Sequence, residues 1–189
     1  DVYKRQGSMH MKDGWRVAEP VLAAQPVESP TLSEAAAVAL ARDEDLENLR
    51  FVDGELTGFS GKTLDVRGCV FEHCRFGDND FKRISFVDCV FDKCEWSNAR
   101  LTNAAFQRAR LRGCRMTGLE IMRGALMNVA FDGCMLDYAS FAECKLDHAV
   151  FSDCRLRDSL WSENRLSRVR FDHSCLLYTS DAADDLTRV

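Results

Sequence analysis

Phe86-Val87-Asp88-Cys89-Val90-Phe91-Asp92-Lys93-Cys94-Glu95-Trp96 sets a large apolar residue at every fifth position, with a cysteine two residues before each of the last two. The same beat runs outward from Leu46 to Phe171. Of its twenty-six positions, eleven are Phe and nine are Leu, Val66, Trp96, Met116, Ile121 and Trp161 supply five more, and Gly61 is the exception. A period of five fits neither a helix at about 3.6 residues nor a flat strand at about 2. Each pentad must therefore form one side of a coil, and the architecture is a solenoid of repeats.

A second beat, two residues before the first, demands a small side chain: Cys69, Cys74, Cys89, Cys94, Ala99, Ala104, Ala109, Cys114, Cys134, Ala139, Cys144, Ala149 and Cys154 hold it, with Asn79, Ile84 and Ser159. Pentads such as Asn98-Ala99-Arg100-Leu101-Thr102 and Asp147-His148-Ala149-Val150-Phe151 resemble the pentapeptide-repeat family, and the resemblance covers Leu46 to Phe171. It implies an all-β fold, a right-handed parallel quadrilateral β-helix of about six and a half coils. Four pentads make each square turn, and the large and the small residue both point into the lumen. Positions twenty apart are then stacked. Cys74, Cys94, Cys114, Cys134 and Cys154 form one such ladder, and Phe51, Phe71, Phe91, Phe131, Phe151 and Phe171 form another, interrupted only by Leu111. Rungs about 4.8 Å apart give a rod on the order of 30 Å long with a solid interior.

Eight of the nine cysteines take the small inward position, where size accounts for them as compact buried hydrophobes. In-register stacking sets their Cβ vectors side by side, a poor geometry for a disulfide. Thiols strung along a line, with no histidine in the lumen, also do not converge as a metal requires. Neither metal nor cofactor is expected. Reduced cysteines without a secretory signal or a membrane span point to the cytoplasm.

Asp1-Val2-Tyr3-Lys4-Arg5-Gln6 and the run from Cys175 to Asp185 resemble translated sequencing-adapter sequence, so residues 1–6 and 175–189 are expected to be artefacts. On that reading the native end lies beyond Ser174 and is missing, and a homodimer through it stays open. Residues 7–45 form a lead-in, and 46–174 form the repeat body. All three prolines, Pro20, Pro26 and Pro30, fall in the lead-in and keep it extended. Thr31-Leu32-Ser33-Glu34 has the spacing of a capping box, and the helix formers that follow predict a short helix closing the first coil, whose bare edge would otherwise invite polymerisation. Trp15 and Val17 are expected to pack beneath that helix or add a strand. Phe59 and Gly61 reverse the expected sizes, which predicts a local distortion.

Function must reside in the outward residues. Carboxylate pairs such as Asp137 with Asp158 stand on a convex wall, and His73, His148 and His173 have no surface nucleophile beside them. A filled rod offers no pocket to perturb a pKa, so an enzyme is not expected. The leading reading is a rigid scaffold that binds a protein. The alternative comes from the resemblance, since some family members protect or inhibit type II topoisomerase, DNA gyrase, by imitating DNA. Asp78 and Asp80, with Asp45, Asp65, Glu72, Asp88, Asp92 and Glu95, make the first coils acidic as that mimicry needs, but Arg100, Arg108, Arg110, Arg112 and Arg115 then reverse the sign. Arg110, Arg112 and Arg115 are the group able to form a local cationic patch. Direct nucleic-acid binding is not expected, because nearly all aromatics point inward. Val70, Val90 and Val150, with Ala130 between them, predict an apolar stripe on one side, a candidate partner surface.

Overall fold

The computed structural model describes residues 14–28, 31–59 and 63–178. From Leu46 onward the chain winds as a parallel β-helix of four sides. Ile84–Asp92, Ala105–Arg112, Ala125–Asp132, Lys145–Ser152 and Arg165–Asp172 pair in order and run through the corner between the first two sides. The third side is held by single bridges, Glu55 to Arg75 to Glu95 to Arg115 to Met135 to Arg155. The fourth is a separate sheet containing Asp80–Lys82, Arg100–Thr102, Glu120–Met122, Ser140–Ala142 and Arg155–Ser162.

Within the coils, from Leu46 to Asp172, partners stand twenty residues apart. Phe71 faces Phe91, and Leu111, Phe131, Phe151 and Phe171 follow in register. The rings stack at 4.9 Å between Phe71 and Phe91 and at 4.5 Å between Phe131 and Phe151. Phe76 on Trp96 and Phe141 on Trp161 repeat this on neighbouring columns at 4.2 Å. The lumen is a single apolar cluster, and its burial is the main force holding the rod together.

Size is not the whole reason for the small inward residue. Where it is cysteine or asparagine, and at Ser174, its side chain donates to a backbone carbonyl twenty-three residues back. Cys94 Sγ reaches the Phe71 oxygen at 3.4 Å, Asn79 Nδ2 the Leu56 oxygen at 2.6 Å, Asn164 Nδ2 the Phe141 oxygen at 2.8 Å and Ser174 Oγ the Phe151 oxygen at 3.0 Å. Cysteine, asparagine and serine share a small volume and a donor, so they interchange there. The corner residue just before it takes the left-handed conformation almost everywhere, as at Asp88 (φ 55°), Asn98 (φ 57°), Asn128 (φ 56°) and Asp153 (φ 51°). Asn, Asp and Gly tolerate that region best.

The predicted cap is the α-helix Leu32–Arg42, which buries Leu32, Ala36 and Ala39. A Cβ built at Gly54 would stand 2.8 Å from the Leu32 Cβ, so the helix occupies the rung where the cysteine ladder would continue. The capping box does not form. Thr31 is the N-cap in an extended conformation, but its side chain makes no cap hydrogen bond. At the reversed pentad, Phe59 is buried and packs 5.8 Å from Phe81, supplying the ring that the beat assigns to position 61. Gly61 itself and Asp1 to Gln6 lie outside the described residues. Strand pairing continues past Ser174: Cys175–Tyr178 adds to the strand at 155–162 with Leu176 opposite Leu156, and 179–189 lie outside the described residues.

Candidate functional site

Trp15 and Val17 do not pack beneath the helix. The extended, proline-punctuated lead-in instead runs the length of the rod as a strap, from the last coils back to the first. Trp15 meets His148 edge-on at 5.5 Å, with the Arg170 guanidinium 5.8 Å from its ring. The Ala18 amide donates to Asn128 Oδ1 at 3.0 Å, Glu19 pairs with Arg110 at 3.2 Å, and the Val21 amide donates to Asp88 Oδ1 at 3.0 Å. Val27–Glu28 then pairs with Leu49 and Arg50. Each contact falls on an earlier coil than the one before it, because about 3.3 Å per extended residue lets two or three residues cross a coil rise of about 4.8 Å.

This path corrects the sequence reading of the apolar stripe. Val70, Val90 and Val150 do share one side, but all three are buried, and Ala130 is only 9% exposed. At Val70 and Val90 the covering residues include Pro20, Leu22 and Pro26, which close over a cavity of about 200 Å³. A foreign partner cannot reach this side while the strap is seated.

The cationic patch is corrected as well. Arg110 is 7% exposed beneath the strap and so does not join Arg112 and Arg115. Arg115 is exposed but sits in a column whose charges alternate, Glu55, Arg75, Glu95 and Arg115, and Arg112 stands between Asp92 and Asp132. Asp78 is an exposed corner residue, and Asp80 stands opposite Arg100, which pairs with Glu120 at 3.1 Å. Burial alone would raise the Asp88 carboxyl. The two bonds from Arg108, at 2.6 and 2.9 Å, and the Val21 amide outweigh burial and hold Asp88 below the usual carboxylate range.

The eight lumen cysteines are buried and unpaired. Burial pushes the Cys69 thiol up to about 11 and raises Cys89, Cys94 and Cys114 further, so they are poor nucleophiles. Among the described residues no three His, Cys, Asp or Glu side chains gather as metal ligands would, and no described helix is long and apolar enough to cross a membrane. Of the carboxylate pair singled out above, Asp137 is committed elsewhere, to Arg155 at 2.6 Å and the Arg157 amide at 2.9 Å.

Two family models match the chain, one described as a pentapeptide repeat region over residues 64–141 and one as pentapeptide repeats in eight copies over 126–160. The chain belongs to the pentapeptide-repeat family. Among solved structures it is similar to a trypsin-treated form of QnrB1, a plasmid-mediated fluoroquinolone resistance protein, at 20% identity and a TM-score of 0.46, covering 69% of this chain and 70% of that one. It is also similar to HetL, a pentapeptide repeat protein involved in heterocyst differentiation regulation in the cyanobacterium Nostoc, at 13% identity and a TM-score of 0.41, covering 73% of this chain and 92% of that one. Rfr23, from the cyanobacterium Cyanothece, matches at 13% identity and a TM-score of 0.36, covering 77% of this chain and 99% of that one. No curated protein sequence matches.

Among the described residues no strap crosses the fourth side of the rod. Met122 and Leu160 stand on its strands with 43% and 50% exposure, and Tyr138, at the corner leading into Ser140–Ala142, is 63% exposed. A shallow groove of about 350 Å³ runs along it between Lys82, Thr102 and Met122. The sequence reading missed these three side chains. Two of them, Met122 and Leu160, flank the beat residues Ile121 and Trp161 as apolar residues at outward positions.

Proposed function

We propose that this pentapeptide-repeat chain is a non-enzymatic rod that binds a protein in the cytoplasm through its strap-free fourth side. The observation that carries the reading is the exposure of Met122, Tyr138 and Leu160 on a wall fixed by a solid lumen. Large exposed apolar side chains on a rigid surface favour protein contacts, where burial is the driving force. Charge speaks for this over imitation of DNA. A mimic needs rows of carboxylates, whereas Asp80, Arg100 and Glu120 alternate along this side and Glu55, Arg75, Glu95 and Arg115 along the third.

A photo-crosslinking residue at position 122 or 160, with position 65 on the first side as control, tests the reading. One partner protein captured from 122 and 160 but not from 65, and lost when Met122→Glu is combined with Leu160→Glu, is the expected result. Equal capture from all three positions, or none, sinks it. Gyrase supercoiling is expected to be unchanged by the chain; protection or inhibition would restore the DNA-mimic alternative.

A further inference from the structure

The strap is held by few contacts. Between Gly14 and Pro26 none of its side chains is buried, and the segment joins no sheet before Val27. It is gripped by side chains of the rod: Asn128 and Asp88 accept from main-chain amides, which every non-proline residue offers, and Arg110 takes one carboxylate. Two defects coincide beneath it. Glu19 reaches only Nη1 of Arg110, and Nε of that buried residue has no partner among the described residues. The cavity of about 200 Å³ lies at the same place, walled by Val70, Val90, Ala23 and Ala24. An orphaned buried donor costs stability, and a half-open pocket leaves room for a larger apolar side chain than Ala23, so another sequence can fit this side better than the strap does.

We propose that the strap is a self-ligand, and that the side beneath it is a docking groove for an extended acidic segment of a partner protein. The segment that fits carries an aromatic residue for His148 and Arg170, a carboxylate four residues later for both Nε and Nη1 of Arg110, and a bulkier apolar residue than Ala23 for the cavity. Its free amides serve Asn128 and Asp88. This groove lies on a different side of the rod from Met122 and Leu160, and the proposal does not depend on the partner of that wall.

The test uses the full chain and a fluorescent peptide spanning residues 14–26. In the full-length Trp15→Ala/Glu19→Ala variant, which loosens the strap, the peptide is expected to bind. In the unmodified chain the tethered strap competes at an effective concentration on the order of millimolar, so binding is expected to be weaker by about tenfold or more. Glu19→Gln in the peptide, which leaves the protein untouched, is expected to weaken binding to the loosened variant by about tenfold, and Ala23→Leu to tighten it several-fold. Circular dichroism of the loosened variant guards against misfolding. No binding by a folded loosened variant overturns the proposal, as does binding indifferent to Glu19→Gln. Exchange of straps into a stable dimer, read by light scattering, overturns the assignment to a foreign partner.

Discussion

Phe91→Ala removes a ring from the centre of the lumen's aromatic packing. Phe91 is fully buried and packs against Phe71 at 4.9 Å, Phe86 at 5.1 Å, Trp96 at 5.4 Å and Phe76 at 5.8 Å. Losing its apolar burial costs about 2 kcal/mol. A residual void of about 100 Å³ adds about 2.4 kcal/mol if the walls cannot collapse. They are poorly placed to do so, because each neighbouring ring is fixed by its own stack. A loss of about 4 kcal/mol follows, within the usual range for Phe→Ala. Phe171→Ala provides the internal scale. It ends the same column at the last coil, only half-buried, and its ring contacts are Phe151 at 4.9 Å and Trp161 at 5.8 Å. Its loss should be about half as large or less, since part of the ring already meets water. Urea unfolding followed by circular dichroism reads both, and with a slope of about 2 kcal/mol per molar, Phe91→Ala should lower the midpoint by about 2 M. A shift under about 0.5 M, or equal shifts for the two variants, would refute the filled-lumen account.

The lumen thiols should resist a thiol reagent at neutral pH until urea is added, and rapid labelling of all eight in the folded chain would contradict their burial. Apart from Cys74, which its hydrogen bond with Cys94 shifts down, the lumen thiols are raised, which sets a sign: the neutral thiol belongs to the folded state, so the stability they contribute is whole below the ordinary value of about 8.5 and declines as pH rises toward about 11 for Cys69. Urea midpoints at pH 7 and pH 10 should differ accordingly, with the alkaline one lower. Asp88 runs the other way; its depressed carboxyl stabilises the seated strap above the ordinary value of about 3.9, and that contribution is lost as pH falls through the lower folded value. Trp15 emission, isolated by difference against Trp15→Phe, should therefore show an acid transition below about pH 4 that Asp88→Asn abolishes, and its persistence in Asp88→Asn would point to another anchor. Gly54→Ala drives a Cβ to 2.8 Å from the Leu32 Cβ and should cost about 1–3 kcal/mol with early loss of the helical signal at 222 nm, whereas an unchanged melt would show that the cap is not seated on that rung.

The coils were legible because their signal is redundant. A lumen residue repeats at every fifth position, and an error at one pentad, such as the reversed Phe59 and Gly61, is outvoted by the rest. The helix at Leu32–Arg42 was legible from its run of helix formers, although the side-chain cap expected of Thr31 is absent. The strap was not legible, because nothing about it repeats. Its anchors, Asp88, Arg110, Asn128 and His148, are each one contact with a residue far away in the chain, and the beat already accounts for all four as outward or corner positions. Two features could have been read and were not. Asn, Asp and Gly recur at positions 48, 53, 58, 68, 78, 88 and 98, the spacing of a left-handed corner. Asn79 and Ser159 share the cysteines' slot, which argues for a hydrogen-bonding role as well as a small volume.

Stacking also decides which surfaces such a rod can present. Residues twenty apart meet across a parallel ladder about 4.8 Å apart, so an uninterrupted row of carboxylates sets like charges side by side, at a cost of up to about 1 kcal/mol per rung. Three columns of this chain avoid that cost. Arg100 lies between Asp80 and Glu120, Arg75 between Glu55 and Glu95, and Arg112 between Asp92 and Asp132. Where Glu72 and Asp92 stack, Arg50 takes Glu72 at 2.7 Å, whereas Lys145 faces Arg165 directly. Charges arranged this way cancel within a coil or two and cast little field beyond a Debye length of about 8 Å. A partner is thus not steered to the rod from a distance by its columns. On the two readings proposed above, recognition falls to the residues that break the columns, namely the apolar Met122 and Leu160 on the open wall and the half-satisfied Arg110 under the strap.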